Sequence, residues 1–348
     1  HDLVRYYNEE GLIPGVQLKV IDYDGGYDPA KDVPGYEWLK ERGADVIFTP
    51  VTSTPASLRS RVEADRMLLF CASTQMKELT PPGYIFDVGE ISQHAVYTLL
   101  DWIAEHDWDY TARGPARIGG ASWNEPNFVT MFDAIKAYAE AHPERFEFVG
   151  AELAPLGTFS WGPEAEALKD CDYLWPPNVM ASFVREYRSQ GYRATFIGVD
   201  VHTAFLRLIR DGNLWDEIDG MLFARMSRWW NEEGELIDLT REILHRYHPN
   251  DAEDIMLAGC GYLALGNINI MLEIIKNAAE AVGPENLDSD ALYEAAVSYS
   301  CVIDGLERYS YSETKRYPCN YYGIYRASAA QEDIVRLDPE WYPVITEP

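Results

Sequence analysis

Residues 45–75 carry the same hydrophobic phrase twice. Val46-Ile47-Phe48 is a short apolar run that gives way to Thr52, Ser53 and Thr54; Met67-Leu68-Leu69-Phe70 is a second that gives way to Ser73 and Thr74. The stretch 56–64 between them is helical in pattern, so the unit reads strand, helix, strand. A right-handed crossover of this kind makes parallel neighbours whose carboxyl ends share one sheet edge, where α/β sheets bind ligands. Hydroxyls and free N–H groups at helix starts suit a small anionic or polar group such as a carboxylate. Ser and Thr are also ordinary helix caps. Two successive strand ends of this kind favour a site, with Ser53, Thr54, Ser73 and Thr74 as candidates.

The alternation of Val16, Leu18 and Val20 predicts a strand over 17–22, closed by the turn Asp24-Gly25-Gly26, and Asp28-Pro29 is a helix start with Asp as cap. Asp22, Asp24 and Asp28 do not make a calcium loop, because positions six and twelve would be Tyr27 and Val33 in place of Gly and Glu. A third strand is expected at 84–88 and an amphipathic helix at 91–106. Alternation restarts after 110–115, with strands at 116–122, 146–153, 172–175 and 194–199 and helices at 127–141, 163–169 and 179–190. Such repetition predicts a second doubly wound sheet. Residues 255–272 hold no charged side chain, the lower end of a membrane span. Their Gly259, Gly261, Gly266, Asn267 and Asn269 favour a buried helix beneath the first sheet.

Strand ends in the second half bring further candidates: Trp123 and Asn124 after the first strand, Trp175 after the third, Asp200 after the fourth. Indole faces suit an apolar or cationic body and a carboxylate suits a cation. Trp123 and Trp175 also read as core aromatics, although strand-end Trp followed by Asn or Pro is expected to be half exposed. Asp200 has two open readings, a ligand partner or the cap of a helix starting near His202. The stretch Ser227-Arg228-Trp229-Trp230-Asn231 either lines the site or locks a hinge.

Composition narrows the partners. The 348 residues suffice for two domains, and 57 acidic against 29 basic residues give a net charge of −28, which argues against nucleic acid or an anionic membrane surface. The five cysteines have no metal-like spacing; only Cys301 and Cys319 are close enough in sequence to form a local bridge, and Cys71 reads as a small buried residue without a base. His245 and His248 stand one helical turn apart, a solvated face unless a third metal ligand arrives. No nucleophile elbow, phosphate loop or zinc-protease motif occurs. No catalytic residue, metal or cofactor is therefore assigned, and an α/β enzyme is the disfavoured alternative.

The turns Thr49-Pro50-Val51-Thr52-Ser53-Thr54 and Cys71-Ala72-Ser73-Thr74, with the opening Asn8-Glu9-Glu10-Gly11-Leu12-Ile13-Pro14-Gly15 and Asp28-Pro29-Ala30-Lys31, resemble the periplasmic type I solute-binding proteins of ABC importers, in the branch of the Leu/Ile/Val-binding proteins. The resemblance implies two doubly wound, Rossmann-like lobes joined by a three-segment hinge, with 1–115 and 234–318 in lobe one and 116–233 and 319–348 in lobe two. It also implies an earlier strand and a ligand-touching turn ahead of His1. The implied function is closure over a small solute, an amino acid, aromatic acid or amide, and delivery to a membrane permease. A periplasmic or otherwise extracytoplasmic location follows, with the signal peptide removed and possible lipid anchoring. Asp200, after Gly198-Val199, resembles the acidic residue that takes the ligand ammonium. Trp at two second-lobe turns departs from the aliphatic binders and points to a flatter or larger ligand. A ligand sensor of the same fold is the alternative role.

Overall fold

The computed structural model describes residues 1–348 apart from the side chains of Pro126 and Asn127. The chain divides into two compact units. Unit 1 comprises His1–Ile91, Asp238–Pro249 and Ala264–Asn320; unit 2 comprises Ser92–Ile237, Asn250–Leu263 and Tyr321–Pro348. Helix Ser92–His106, which the expected boundaries put in lobe one, packs here within unit 2.

In unit 1, β1 (Val46–Thr49), β2 (Leu68–Cys71) and β3 (Ile85–Asp87) form a parallel sheet in that order. All four residues of β2 are buried, as a central strand covered on both faces requires. Leu58 and Val62 of helix Thr54–Asp65 close over one face with Tyr36. The strand expected over 17–22 does not form. The segment has no strand partner, and Asn8 ties it down, its side chain accepting from Leu18 N–H and donating to Leu18 O, both at 2.9 Å. A groove of about 630 Å³ lies along it and β1, so alternation alone found no backbone partner.

In unit 2, β4 (Ala116–Trp123), β5 (Phe146–Ala154), β6 (Tyr173–Trp175), β7 (Thr195–Val199) and β8 (Leu222–Arg225) are parallel, in the order β8-β7-β6-β4-β5. The chain steps outward from β4 to β5 and then resumes on the other side of β4 at β6, so strand direction of travel reverses there. This is the switch point at which such sheets open a crevice.

Back in unit 1, β9 (Ser300–Ile303) and β10 (Leu306–Ser310) form an antiparallel hairpin. Tyr309 of β10 pairs with Cys301 on one side and with Cys319 on the other. Two strand spacings, about 9.5 Å, therefore separate those cysteines, beyond the roughly 7 Å a disulfide bridges. Neither cysteine is in a disulfide, which corrects the bridge considered from their spacing. In unit 2, β11 (Tyr321–Ser328) joins β8 antiparallel and β12 (Asp333–Arg336) extends the sheet.

The single helix expected over 255–272 is also corrected. Helix Ala252–Leu257 ends and a separate helix Leu265–Val282 begins, the first in unit 2 and the second in unit 1. The break is at Gly259, with φ +119°, where an added Cβ would lie 2.0 Å from Thr203 O. Only glycine permits both that backbone angle and that approach. No helix among the described residues is long and apolar enough to cross a membrane.

Candidate functional site

The carboxyl ends of β1 and β2 carry the hydroxyl turns of unit 1. Ser53 is exposed at the start of helix Thr54–Asp65 and makes no side-chain cap. Thr54 is buried, and its hydroxyl donates to Asp32 Oδ1 at 3.3 Å. Both line a pocket of about 240 Å³ that also includes Asp28, Asp32 and Tyr36. Ser73 is half-buried, while Thr74 is 4% exposed with an Oγ1 that has no hydrogen-bond partner. Cys71 is a packed side chain, and its burial pushes the thiol well up.

In unit 2, Trp123 is half-buried at the end of β4, its Nε1–H donating to Thr158 O at 2.9 Å and its ring edge-on to the exposed Phe159 at 5.9 Å. Asn124 is exposed and its N–H donates to Ala154 O. Trp175 is only 1% exposed, edge-on to His202 at 5.2 Å. The half-exposed indole expected at this strand end is a core ring instead, packed against the fully buried His202. Ser122 Oγ and Asn178 Oδ1, next to these strand ends on either side of the switch point, are buried without hydrogen-bond partners.

Asp200 opens the short helix Asp200–Thr203 and does not cap it. The cap comes from His202, whose Nδ1 accepts from Val199 N–H at 3.2 Å; its Nε2–H then donates to Pro176 O at 3.1 Å. With both nitrogens engaged and no solvent contact, burial holds the imidazole down at about 4, so it is neutral. The Asp200 carboxylate faces Arg225, the last residue of β8, with Nη2 3.0 Å from Oδ1. Burial pushes the Asp200 carboxyl up, while the Arg225 charge and a hydrogen bond from Met226 N–H pull it back. Arg225 is fully buried; it also donates to Thr203 Oγ1 at 2.7 Å and to Ser227 Oγ at 3.3 Å, and lies over the Trp229 ring at 4.5 Å. Trp229 and Trp230 are themselves buried in unit 2, with Trp230 Nε1–H donating to Gly259 O.

Arg225 was not found from the sequence, though it leaves a signal: a lone cation closing the apolar run Met221-Leu222-Phe223-Ala224. Elsewhere, His245 is exposed and His248 Nε2 lies 2.7 Å from Asp2, and no group of three metal-ligating side chains gathers among the described residues.

The fold is shared by many solved structures. A branched-chain amino acid ABC transporter protein from Thermus thermophilus with bound valine superposes with a TM-score of 0.83 at 18% identity, over 98% of this chain and 90% of that one. A solute-binding protein from Rhodopseudomonas palustris in complex with 3,4-dihydroxybenzoic acid gives 0.78 at 13% identity, over 100% and 93%. A fatty acid ABC transporter substrate-binding protein from Thermomonospora curvata gives 0.78 at 15%, over 98% and 86%. No curated protein sequence matches the chain. The family model described as periplasmic binding protein matches residues 2–329, and with that match the chain belongs to the periplasmic binding proteins, with the type I fold.

Proposed function

We propose that the protein is the solute-binding component of an ABC importer, acting outside the cytoplasm, and that its solute is a small carboxylate-bearing compound, an amino acid or an aromatic acid, handed unchanged to a membrane permease. The observation that carries this reading is made in each unit by itself: buried polar atoms without hydrogen-bond partners stand at its strand ends. Thr74 Oγ1 follows β2 in unit 1, and Ser122 Oγ and Asn178 Oδ1 stand at the ends of β4 and β6 in unit 2. Buried polar atoms without partners are uncommon and destabilising, so their presence at the strand ends of each unit supports a receptor for polar groups.

In this reading Ser53, Thr54, Ser73 and Thr74 offer hydroxyls and N–H groups from unit 1. Trp123 and Asn124 offer an apolar face and an amide from unit 2. Asp200, held by Arg225, offers its partly exposed carboxylate to an amine where the solute has one. Trp175 backs this arrangement from the core. Solved structures of this fold are named for valine and for dihydroxybenzoate, and the hydroxyl turns suit the carboxylate that both compounds carry. The neutral, doubly bonded His202 and the buried Cys71 thiol support binding without turnover.

The test is calorimetric titration of the purified protein with L-valine, L-phenylalanine, benzoate and 3,4-dihydroxybenzoate, followed by mass spectrometry of the compound released on denaturation. Saturable one-to-one binding of at least one acid, released intact, is expected. Conversion of the bound compound, or binding of none of them, contradicts the proposal.

A further inference from the structure

The loop that leaves the edge strand of unit 2 breaks the charge pattern of the chain. From Leu153 to Pro163 no side chain is charged, in a protein with 57 acidic and 29 basic residues. The stretch runs from the end of β5 to the start of helix Gly162–Ala167. It is not a core segment: Leu153, Leu156 and Phe159 are 38%, 69% and 60% exposed. Exposed apolar side chains scattered singly are ordinary, whereas a group of them in one place marks a binding surface.

The loop is tied down on both sides of Phe159. Thr158 N–H and the Thr158 hydroxyl both donate to Pro155 O, at 3.1 and 2.7 Å, and close a tight turn. Thr158 O accepts the Trp123 indole N–H at 2.9 Å. Two residues after Phe159, Trp161 is fully buried, its N–H donating to Glu186 Oε2 at 2.6 Å and its indole N–H to Ser182 Oγ at 3.1 Å. Phe159 is therefore an apolar ring held out into solvent from a fixed backbone. Its ring centre lies 5.9 Å from that of Trp123 with the planes 81° apart, while Trp161 lies 6.5 Å from Trp123 at 38°.

Trp123 is also left open where comparable tryptophans are covered. Trp38 and Trp341, half-buried like Trp123, each carry an arginine guanidinium over the ring, Arg42 at 3.7 Å and Arg336 at 4.0 Å. No cation lies over Trp123 or Phe159 among the described residues. Two rings near a right angle make a corner. A flat ring laid along one of them meets the other edge to face, and both contacts are favoured aromatic geometries. A saturated ring gains apolar burial there and nothing more.

We propose that Trp123 and Phe159 form an aromatic corner that receives a flat ring of the solute, which makes Phe159 a specificity-determining residue and an aromatic acid the preferred solute. The proposal rests on the reading of Trp123 as a solute contact. Its consequence is selection against acids of the same size that lack a flat ring.

Benzoate and cyclohexanecarboxylate, six-membered-ring acids that differ in flatness, are the probes, with L-valine as a third. In calorimetric titration wild type should prefer benzoate to cyclohexanecarboxylate at least tenfold, and Phe159→Leu, which keeps an apolar side chain and removes the ring, should reduce that preference to about threefold or less. Phe159→Tyr should retain it. The readout is a ratio of two affinities on one protein, so a general loss of folding cancels. Equal binding of the two ring acids by wild type, or an unchanged preference in Phe159→Leu, overturns the proposal and leaves the solute reading intact. Binding of L-valine and of neither ring acid does the same. If wild type binds none of the three, the solute reading fails and the aromatic corner with it.

Discussion

The strand ends of the two units handle an acid in opposite ways. In unit 2, Asp200 faces a fully buried Arg225, and the pair is spread over Thr203, Ser227 and the Trp229 ring. In unit 1, Asp87 pairs with no lysine or arginine side chain among the described residues and accepts hydrogen bonds from backbone N–H groups of two adjoining turns. In the first arrangement a cation pulls back a carboxyl that burial pushes up; in the second only N–H groups oppose that push. A buried ion pair is costly to break from one side, because the survivor is left uncompensated in low dielectric, whereas a neutral acid loses little when replaced by a neutral isostere.

That contrast sets the sizes of the expected effects. Arg225→Met should destabilise by about 3–5 kcal/mol in urea unfolding, the usual cost of stripping one partner from a buried pair. Adding Asp200→Asn should recover much of the loss, and a double variant no more stable than the single one would mean that Arg225 acts through its packing alone. Trp175→Ala should cost a similar ~3–5 kcal/mol as a core truncation. Trp123→Ala should change stability little and instead weaken an aromatic acid more than an aliphatic one. Equal losses of affinity for both acids would remove the indole from the solute's apolar face.

Acid should also act differently on the two units. His202 is neutral in the fold, with its pKa held at about 4 against an unfolded value near 6.5. Below about pH 6.5 the unfolded chain binds a proton that the folded chain refuses. The stabilisation is therefore present above that pH and is lost progressively as pH falls towards 4. His202→Gln should flatten this part of the stability profile. An unchanged slope between pH 6.5 and 4 would assign it to other groups.

The smallest effect concerns Asp200 as a ligand partner. Asp200→Asn should weaken an amine-bearing solute at least tenfold, about 1.4 kcal/mol, relative to an amine-free acid of the same skeleton. An equal change for both would leave Asp200 as the counter-ion of Arg225 and nothing more.

Much of this architecture is written in the hydrophobic pattern. The single strand–helix–strand unit at 45–75, with its strand and hydroxyl ending written twice, places β1, β2 and their hydroxyl turns, and the alternation after residue 116 yields the parallel strands of unit 2. What the pattern misses is pairing. Val16, Leu18 and Val20 alternate like a strand yet have no backbone neighbour, and an uncharged run broken at Gly259 reads as one helix when its halves belong to different units. Asp87 and Arg225 were overlooked because each sits within or at the end of an apolar run, where periodicity records an interruption and not a partner. Asp200 was legible as a functional carboxylate, but its partner is 25 positions away and only the adjacency of β7 and β8 joins them.

The central claim is that the carboxylate is what the hydroxyl turns receive, and one comparison tests it directly. The dissociation constant of the best-binding acid is measured by calorimetry beside that of its primary amide, which has nearly the same shape and no charge. The account predicts that the acid binds at least tenfold more tightly than the amide. An amide that binds as well as the acid would contradict it.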